Sequence, residues 1–201
     1  MIRIIDYKAG NAPSVLCAAE HLGFDAAFAR TPEELADATH IILPGVGSAG
    51  ATMQSLAETG MLDALEQYVR REGRLFLGIC VGMQILFDHS EEENADCLGW
   101  LPGKVVRFDE SKGKVPQIGW NKVRFSQDIP WCAAEDYFYF VNSYYAVPNN
   151  TGDIWGAADY NGVFTAAVRR DNIFATQFHT EKSGEAGLAL LRGFLSQKEV
   201  R

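Results

Sequence analysis

The residues with the clearest chemical potential surround Cys80. Gly78-Ile79-Cys80-Val81-Gly82 follows the apolar run Leu75-Phe76-Leu77 and leads into Met83-Gln84-Ile85-Leu86-Phe87, where apolar residues recur at helical spacing. A buried strand, a sharp turn and a helix are expected here. Such a turn lifts the cysteine sulfur clear of a sheet and sets it at the N-terminus of the following helix, where amides and helix dipole favour the thiolate. Glycine on each side tolerates the strained turn and allows strand and helix to approach closely. The plainer alternative is that Cys80 is a small buried hydrophobe. A free thiol of pKa near 8.5 is only about 3% thiolate at pH 7, so a nucleophile needs a base, and the base an orienting group.

Four histidines compete for the role of base. His21 falls in a helical pattern, His40 precedes a strand, and His89 follows the expected Cys80 helix. His179 ends the strand-like run Ile173-Phe174-Ala175-Thr176-Gln177-Phe178, and Glu181 stands two residues further on. In extended geometry residues two apart point the same way, so Glu181 can hold the imidazole in one tautomer. A strand-end histidine beside a solvated glutamate is the alternative for this pair taken alone.

The elements that must position these groups alternate in the first half. Strand patterns cover Ile2 to Tyr7, Phe24 to Arg30 and Thr39 to Leu43, the last stopping at Pro44. Helical patterns cover Pro13 to Leu22, a short segment capped at Thr31-Pro32-Glu33-Glu34, and then Ala51 to Ser55 and Met61 to Arg71. A turn is expected at Lys8-Ala9-Gly10-Asn11, and Pro44-Gly45-Val46-Gly47-Ser48-Ala49-Gly50 is a glycine-rich loop at a strand's carboxyl end. Alternating β and α predicts an α/β fold with a mostly parallel, doubly covered sheet whose ligands bind beyond the carboxyl ends of the strands. From Gly103 onward shorter runs take over: Lys104 to Phe108, Trp120 to Phe125, Tyr137 to Tyr145, Ile154 to Asp159, Val163 to Arg169 and Ile173 to Phe178. These read as antiparallel additions. A final helix from Ser183 to Gln197 carries a Leu188, Leu191, Leu195 stripe.

With 201 residues, 47% of them hydrophobic, and no linker or repeat, residues 1–201 are expected to form one domain with a full core. Cys17, Cys80, Cys97 and Cys132 lie far apart, which suggests neither a disulfide framework nor a metal site. The first residues lack the pattern of a signal peptide and no apolar run reaches membrane-spanning length, so a soluble, cytoplasmic protein is expected. A net charge of −8, with no stripe of lysine and arginine, argues against nucleic acid as a partner.

Together, Gly78-Ile79-Cys80-Val81-Gly82-Met83-Gln84 and Gln177-Phe178-His179-Thr180-Glu181-Lys182-Ser183 resemble the two triad motifs of class I glutamine amidotransferases. Pro44-Gly45-Val46-Gly47, Pro116-Gln117-Ile118-Gly119-Trp120-Asn121 and Tyr139-Phe140-Val141-Asn142-Ser143-Tyr144-Tyr145 narrow the likeness to the glutaminase subunits of imidazole glycerol phosphate synthases. The likeness spans nearly the whole chain. It implies a flavodoxin-like fold and a Cys80, His179, Glu181 triad that hydrolyses L-glutamine through a thioester without a cofactor. It also implies an oxyanion site at Val46, Gly47 and Val81, and substrate contacts from Gln84, Glu92, Ser143 and Tyr144. The implied partner is a cyclase subunit with a (β/α)8 barrel, making imidazole glycerol phosphate and AICAR in histidine biosynthesis and docking over Asn11, Trp120 and Lys182. Trp120 could equally be a core aromatic. Lys8, Gln117, Asn142 and Thr180 stand where the family commonly has glycine, histidine, histidine and proline.

Other readings stay open on sequence. The glutaminase could serve another ammonia-using synthase, in a surface-sugar or pyridoxal phosphate pathway. A cysteine peptidase or γ-glutamyl hydrolase would need an open groove and no partner, and a non-catalytic subunit would have a broken triad.

Overall fold

The computed structural model describes residues 1–7, 11–126, 129 and 131–198. Lys8, and with it most of the expected turn before Asn11, lies outside the described residues. In chain order the first half runs β1 (Ile2–Ile5), α1 (Ala12–His21), β2 (Ala26–Ala29), β3 (His40–Gly45), α2 (Ala49–Glu58), α3 (Met61–Leu65), β4 (Leu75–Cys80) and α4 (Val81–Gln84). The second half runs β5 (His89–Ser90), β6 (Ala95–Asp96), β7 (Gly103–Arg107), β8 (Gln117–Phe125), β9 (Glu135–Asn142), β10 (Tyr144–Pro148), β11 (Ile154–Asp159), β12 (Val163–Arg170), β13 (Ile173–Thr176) and α5 (Gly184–Leu195).

One mixed sheet contains all of these strands. Its main path is β2-β1-β3-β4-β13-β12-β10-β7-β5-β6, with β11 joining β12 to β8 and β8 pairing β9. The block β2-β1-β3-β4-β13 is parallel throughout; the alternating pattern requires this of β1 to β4, whereas Ile173 to Phe178, expected as an antiparallel addition, runs parallel to β4 and antiparallel only to β12. From β12 outward most pairings are antiparallel. Strands β3 and β4 are buried along their full length, which explains why they read as continuous apolar runs rather than alternating ones.

Further expectations need correction. The helix after Cys80 is a single turn, because the carbonyls of Ile85, Leu86 and Phe87 accept amides from Leu98, Leu101 and Gly99 at 2.8–2.9 Å instead of from the next helical turn. The run Tyr137 to Tyr145 breaks at Ser143, whose carbonyl accepts the Phe108 amide. Before it β9 pairs β8; after it β10 pairs β7 and β12. The strand before Pro44 continues through Gly45, while Met61 to Arg71 changes from α to π geometry at Glu66.

Candidate active site

Three adjacent parallel strands deliver the chemistry to one edge. β3 ends in the Gly45-Val46-Gly47 loop, β4 ends at Cys80, and β13 leads through Gln177 and Phe178 to His179. Gly45 is paired with Cys80 in register.

Cys80 has φ 56° and ψ −109°, a strained conformation for a residue with a Cβ, and it is buried. The flanking glycines make that geometry possible. A Cβ on Gly82 would lie 2.0 Å from the Leu43 carbonyl oxygen, and one on Gly78 would lie 2.4 Å from the Gly82 carbonyl oxygen. With only one helical turn behind it, Cys80 gains little from a helix dipole, so the charge partner must come from elsewhere. That partner is His179. Burial alone would lower the His179 pKa, but its interactions with Cys80 and with the Glu181 carboxylate outweigh burial and raise it to about 9.

His179 Nδ1 meets Glu181 Oε1 at 2.8 Å, which leaves Nε2 for the sulfur side. The carboxylate reaches the ring from a 3-10 turn at Thr180–Lys182, not from the extended geometry expected. Burial pushes the Glu181 carboxyl up, yet the facing imidazole and the Asn11 amide hold it below the usual range. Asn11 Nδ2 donates to Glu181 Oε1 at 2.6 Å, and Ser14 Oγ donates to Asn11 Oδ1 at 2.7 Å. Asn11, expected on a partner surface, thus has its side chain committed to the triad carboxylate. The His179 backbone is fixed as well: its amide donates to the Tyr139 carbonyl, and its carbonyl accepts from Ser183 Oγ at 2.6 Å. Phe178 stacks on Phe138 with ring centroids 4.1 Å apart, anchoring the strand end in the core.

A cavity of about 250 Å³ opens at this edge and is lined by Gly47, Cys80, Val81, Gln84, Glu92, Asn142, Ser143 and Tyr144, with Pro116 and Val141. All four residues expected to bind substrate therefore share a cavity with Cys80. A larger cleft of about 460 Å³ beside His21, Trp131 and Arg192 does not include the triad. Gln84 Nε2 donates to the Tyr144 carbonyl and to Gln177 Oε1, tying the substrate wall to β13. Burial raises the Glu92 carboxyl, the Ala49 amide opposes that, and Glu93 adds to it.

Of the expected oxyanion residues, Val81 begins α4 and Gly47 has φ 101°, a value natural only to glycine, while Val46 is exposed. Gly45 differs from Gly47. It ends a strand, and a Cβ there would strike the Val81 Cβ at 2.7 Å and the Gly82 amide nitrogen at 2.8 Å, so it serves close packing rather than rotation.

Two groups escaped the sequence reading. Gln177 Nε2 reaches the Cys80 sulfur at 3.7 Å, and the buried Tyr7 hydroxyl lies 3.5 Å from Thr52 Oγ1 near the same sulfur, whose charge helps raise the tyrosine pKa after burial. Their places come from strand register, which no local motif announces. Trp120, in contrast, is 57% exposed and packs edge-on against Tyr139, which removes the core-aromatic alternative. Lys182 is exposed on the triad turn. Gln117 and Asn142 face each other across β8 and β9, both buried, each with an amide oxygen lacking a hydrogen-bond partner. Thr180 also buries its hydroxyl without one.

Comparison with known proteins places the chain in a family. The family model for glutamine amidotransferase class-I matches residues 3–197. Imidazole glycerol phosphate synthase subunit HisH of Leptospira interrogans is 45% identical over 203 residues, 98% of this chain and 100% of that one. The HisH subunit of Geobacillus thermodenitrificans is 44% identical, covering 97% and 95%. The chloroplastic imidazole glycerol phosphate synthase hisHF of Arabidopsis thaliana is 43% identical, and this chain spans 34% of its length. Among solved structures, a glutamine amidotransferase and PurLQS from Thermotoga maritima superpose with TM-scores of 0.76 and 0.77 at 21% identity, each covering 96% of both chains, which speaks for the fold alone. The chain belongs to the class I glutamine amidotransferases and, among them, to the HisH family of imidazole glycerol phosphate synthase subunits.

Proposed function

We propose that this chain hydrolyses L-glutamine to glutamate and ammonia at Cys80 and passes the ammonia to a cyclase subunit that makes imidazole glycerol phosphate and AICAR. The observation that carries the reading is the meeting of Cys80 with Gly47, Val81, Gln84, Glu92, Ser143 and Tyr144 around one cavity, with His179 and Glu181 behind the sulfur.

The thiolate, its proton held on His179, attacks the side-chain amide carbon. The carbonyl π electrons move to oxygen, and that oxyanion meets the amides of Val81 and the Val46–Gly47 loop. As the C–N bond breaks, His179 gives its proton to the nitrogen and ammonia leaves a thioester on Cys80. His179 then takes a proton from water, whose oxygen attacks the thioester and releases glutamate and the thiolate. Glu181 keeps the imidazole in one tautomer throughout and does not react. Gln84 and Glu92 contact the substrate's polar groups, and Ser143 and Tyr144 lend backbone amides to its carboxylate.

The cyclase, a (β/α)8 barrel, docks over the outer face of the β8–β9 hairpin. Ile118, Trp120, Tyr137 and Val141 expose an apolar strip there, and Lys182 stands on the neighbouring triad turn. Residues 1–201 act as one domain in the cytosol; among the described residues no helix is long and apolar enough to cross a membrane. The deciding experiment mixes the purified chain with candidate synthase subunits and measures glutamate release. Stimulation by the imidazole glycerol phosphate cyclase alone is expected; stimulation only by another synthase would reassign the pathway.

A further inference from the structure

The turn that carries Glu92 also carries Glu93, and the two carboxylates grip the start of α2 directly after the oxyanion loop. Ser48 caps α2: its Oγ accepts the Ala51 amide at 3.2 Å and donates to Glu93 Oε2 at 2.8 Å. One residue along, the Ala49 amide donates to Glu92 Oε2 at 3.2 Å. Consecutive residues of a strand would point opposite ways, but Glu93 has φ 60° and Asn94 φ 50°, so the chain folds back and brings both carboxylates to the same helix end. Gly50 leaves the room, since a Cβ there would lie 2.5 Å from Glu93 Oε2. A glutamate held in a left-handed conformation is an unfavourable choice for a mere surface turn.

We propose that Glu93 is a positioning residue for the oxyanion loop, acting through Ser48 to fix the chain after Gly47 against the turn that presents Glu92 to substrate. The inference rests on the glutaminase reading. Ser48 is the residue next to Gly47, so releasing its hydroxyl frees the downstream anchor of a peptide that must aim an amide at the tetrahedral oxygen. Of the substrate contacts, Gln84, Ser143 and Tyr144 take no part in this clamp, and Glu92 keeps its own tie to the Ala49 amide when the Ser48–Glu93 bond is removed. Loss of the clamp therefore acts on turnover more than on substrate affinity.

The test measures steady-state glutamine hydrolysis by the chain saturated with its cyclase, for wild type, Glu93→Ala, Glu93→Gln and Ser48→Ala, alongside thermal melting and cyclase affinity. Glu93→Ala and Ser48→Ala are each expected to lower kcat about tenfold with KM changed less than twofold. Glu93→Gln keeps an oxygen acceptor for the Ser48 hydroxyl and is expected to restore kcat to within threefold of wild type. Unchanged kcat in Glu93→Ala, an equal rise in KM, or no recovery in Glu93→Gln would overturn the proposal. If Glu93→Ala does not fold, Ser48→Ala decides it on the same criteria. Wild-type complex without hydrolysis would instead overturn the glutaminase reading beneath it.

Discussion

The two walls on either side of the Cys80 sulfur, one behind it and one at the cavity mouth, are built on opposite plans. On one side Glu181, His179 and Cys80 are buried and over-tied: Asn11 and Ser14 hold the carboxylate, Ser183 and Tyr139 hold the His179 backbone, and Phe178 is stacked in the core. On the other side Val46 is exposed and Gly47 sits at φ 101° with nothing within 4 Å of where its Cβ would be. Attack needs a fixed base, so the first wall is rigid. On the proposed mechanism the oxyanion donor is needed only in the transition state, so the peptide at Gly47 can turn against its Ser48 anchor until a partner biases it.

The rigid wall should give the largest effects. Cys80→Ala is expected to lower glutamine hydrolysis on the order of 10⁴-fold or more, and His179→Ala nearly as much, while the double variant loses little more because the pair acts as a unit. Melting of Cys80→Ala should match wild type, since the elbow requires a small residue and not a thiol. Persistent turnover in that variant would remove Cys80 from the nucleophile role.

The turning wall comes next. Gly47→Val forces a β-branched residue to φ 101°, and the loop should relax away from the donating geometry. Turnover in the cyclase complex is expected to fall roughly 10²- to 10³-fold, the usual worth of one oxyanion donor, with cyclase affinity little changed. If the free chain populates the donating loop at about 1%, the cyclase can stimulate at most about a hundredfold by population shift. A free chain as fast as the saturated complex would erase the contrast between the walls.

A smaller effect separates reacting from orienting groups within the rigid wall. Glu181→Ala should cost less than His179→Ala, and Asn11→Ala less again, roughly tenfold in kcat. The two titrations run in opposite directions. With its pKa raised from 6.5 to about 9, His179 stabilises the fold fully below pH 6.5, and that contribution is lost as pH rises through about 9. Glu181, held low, stabilises above its ordinary range and loses that contribution in acid. Urea midpoints from pH 6 to 10 should therefore fall in wild type and flatten in Glu181→Gln; parallel profiles would show the pair to be uncoupled.

Much of the rigid wall was legible in sequence because its signals are local. A cysteine between spaced glycines implies an elbow, and a histidine two residues before a glutamate implies their contact, although a 3-10 turn and not extended chain makes it. What escaped depends on contacts far apart in the chain. Leu86 and Phe87 carry helical spacing, yet their carbonyls pair with the segment at 98–101 and end the helix after one turn. Apolar and aromatic residues continue past Ser143, so nothing local reveals that β9 and β10 take different partners. Asn11 reads as a turn residue; only the approach of α1 to the Thr180–Lys182 turn makes it a ligand of Glu181.

The smallest effects are expected outside both walls, where the two kinds of surface residue should part company. Trp120 is exposed in an apolar strip with Ile118 and Val141, and its ring lies near Gly184, at the start of α5. Lys182 is exposed at the rim. A central aromatic that becomes desolvated carries more binding energy than a rim charge. Trp120→Ala should weaken the cyclase complex by about 2 kcal/mol, insensitive to salt. Lys182→Glu should cost about 1 kcal/mol or less at low ionic strength, mainly through association rate. That loss should shrink as salt rises, because the screening length falls to about 3 Å at 1 M. Binding isotherms of both variants at two salt concentrations test the division. A salt-insensitive loss at Lys182 would mean that its ammonium is buried against the partner, and would move the centre of the interface from the hairpin to the triad turn.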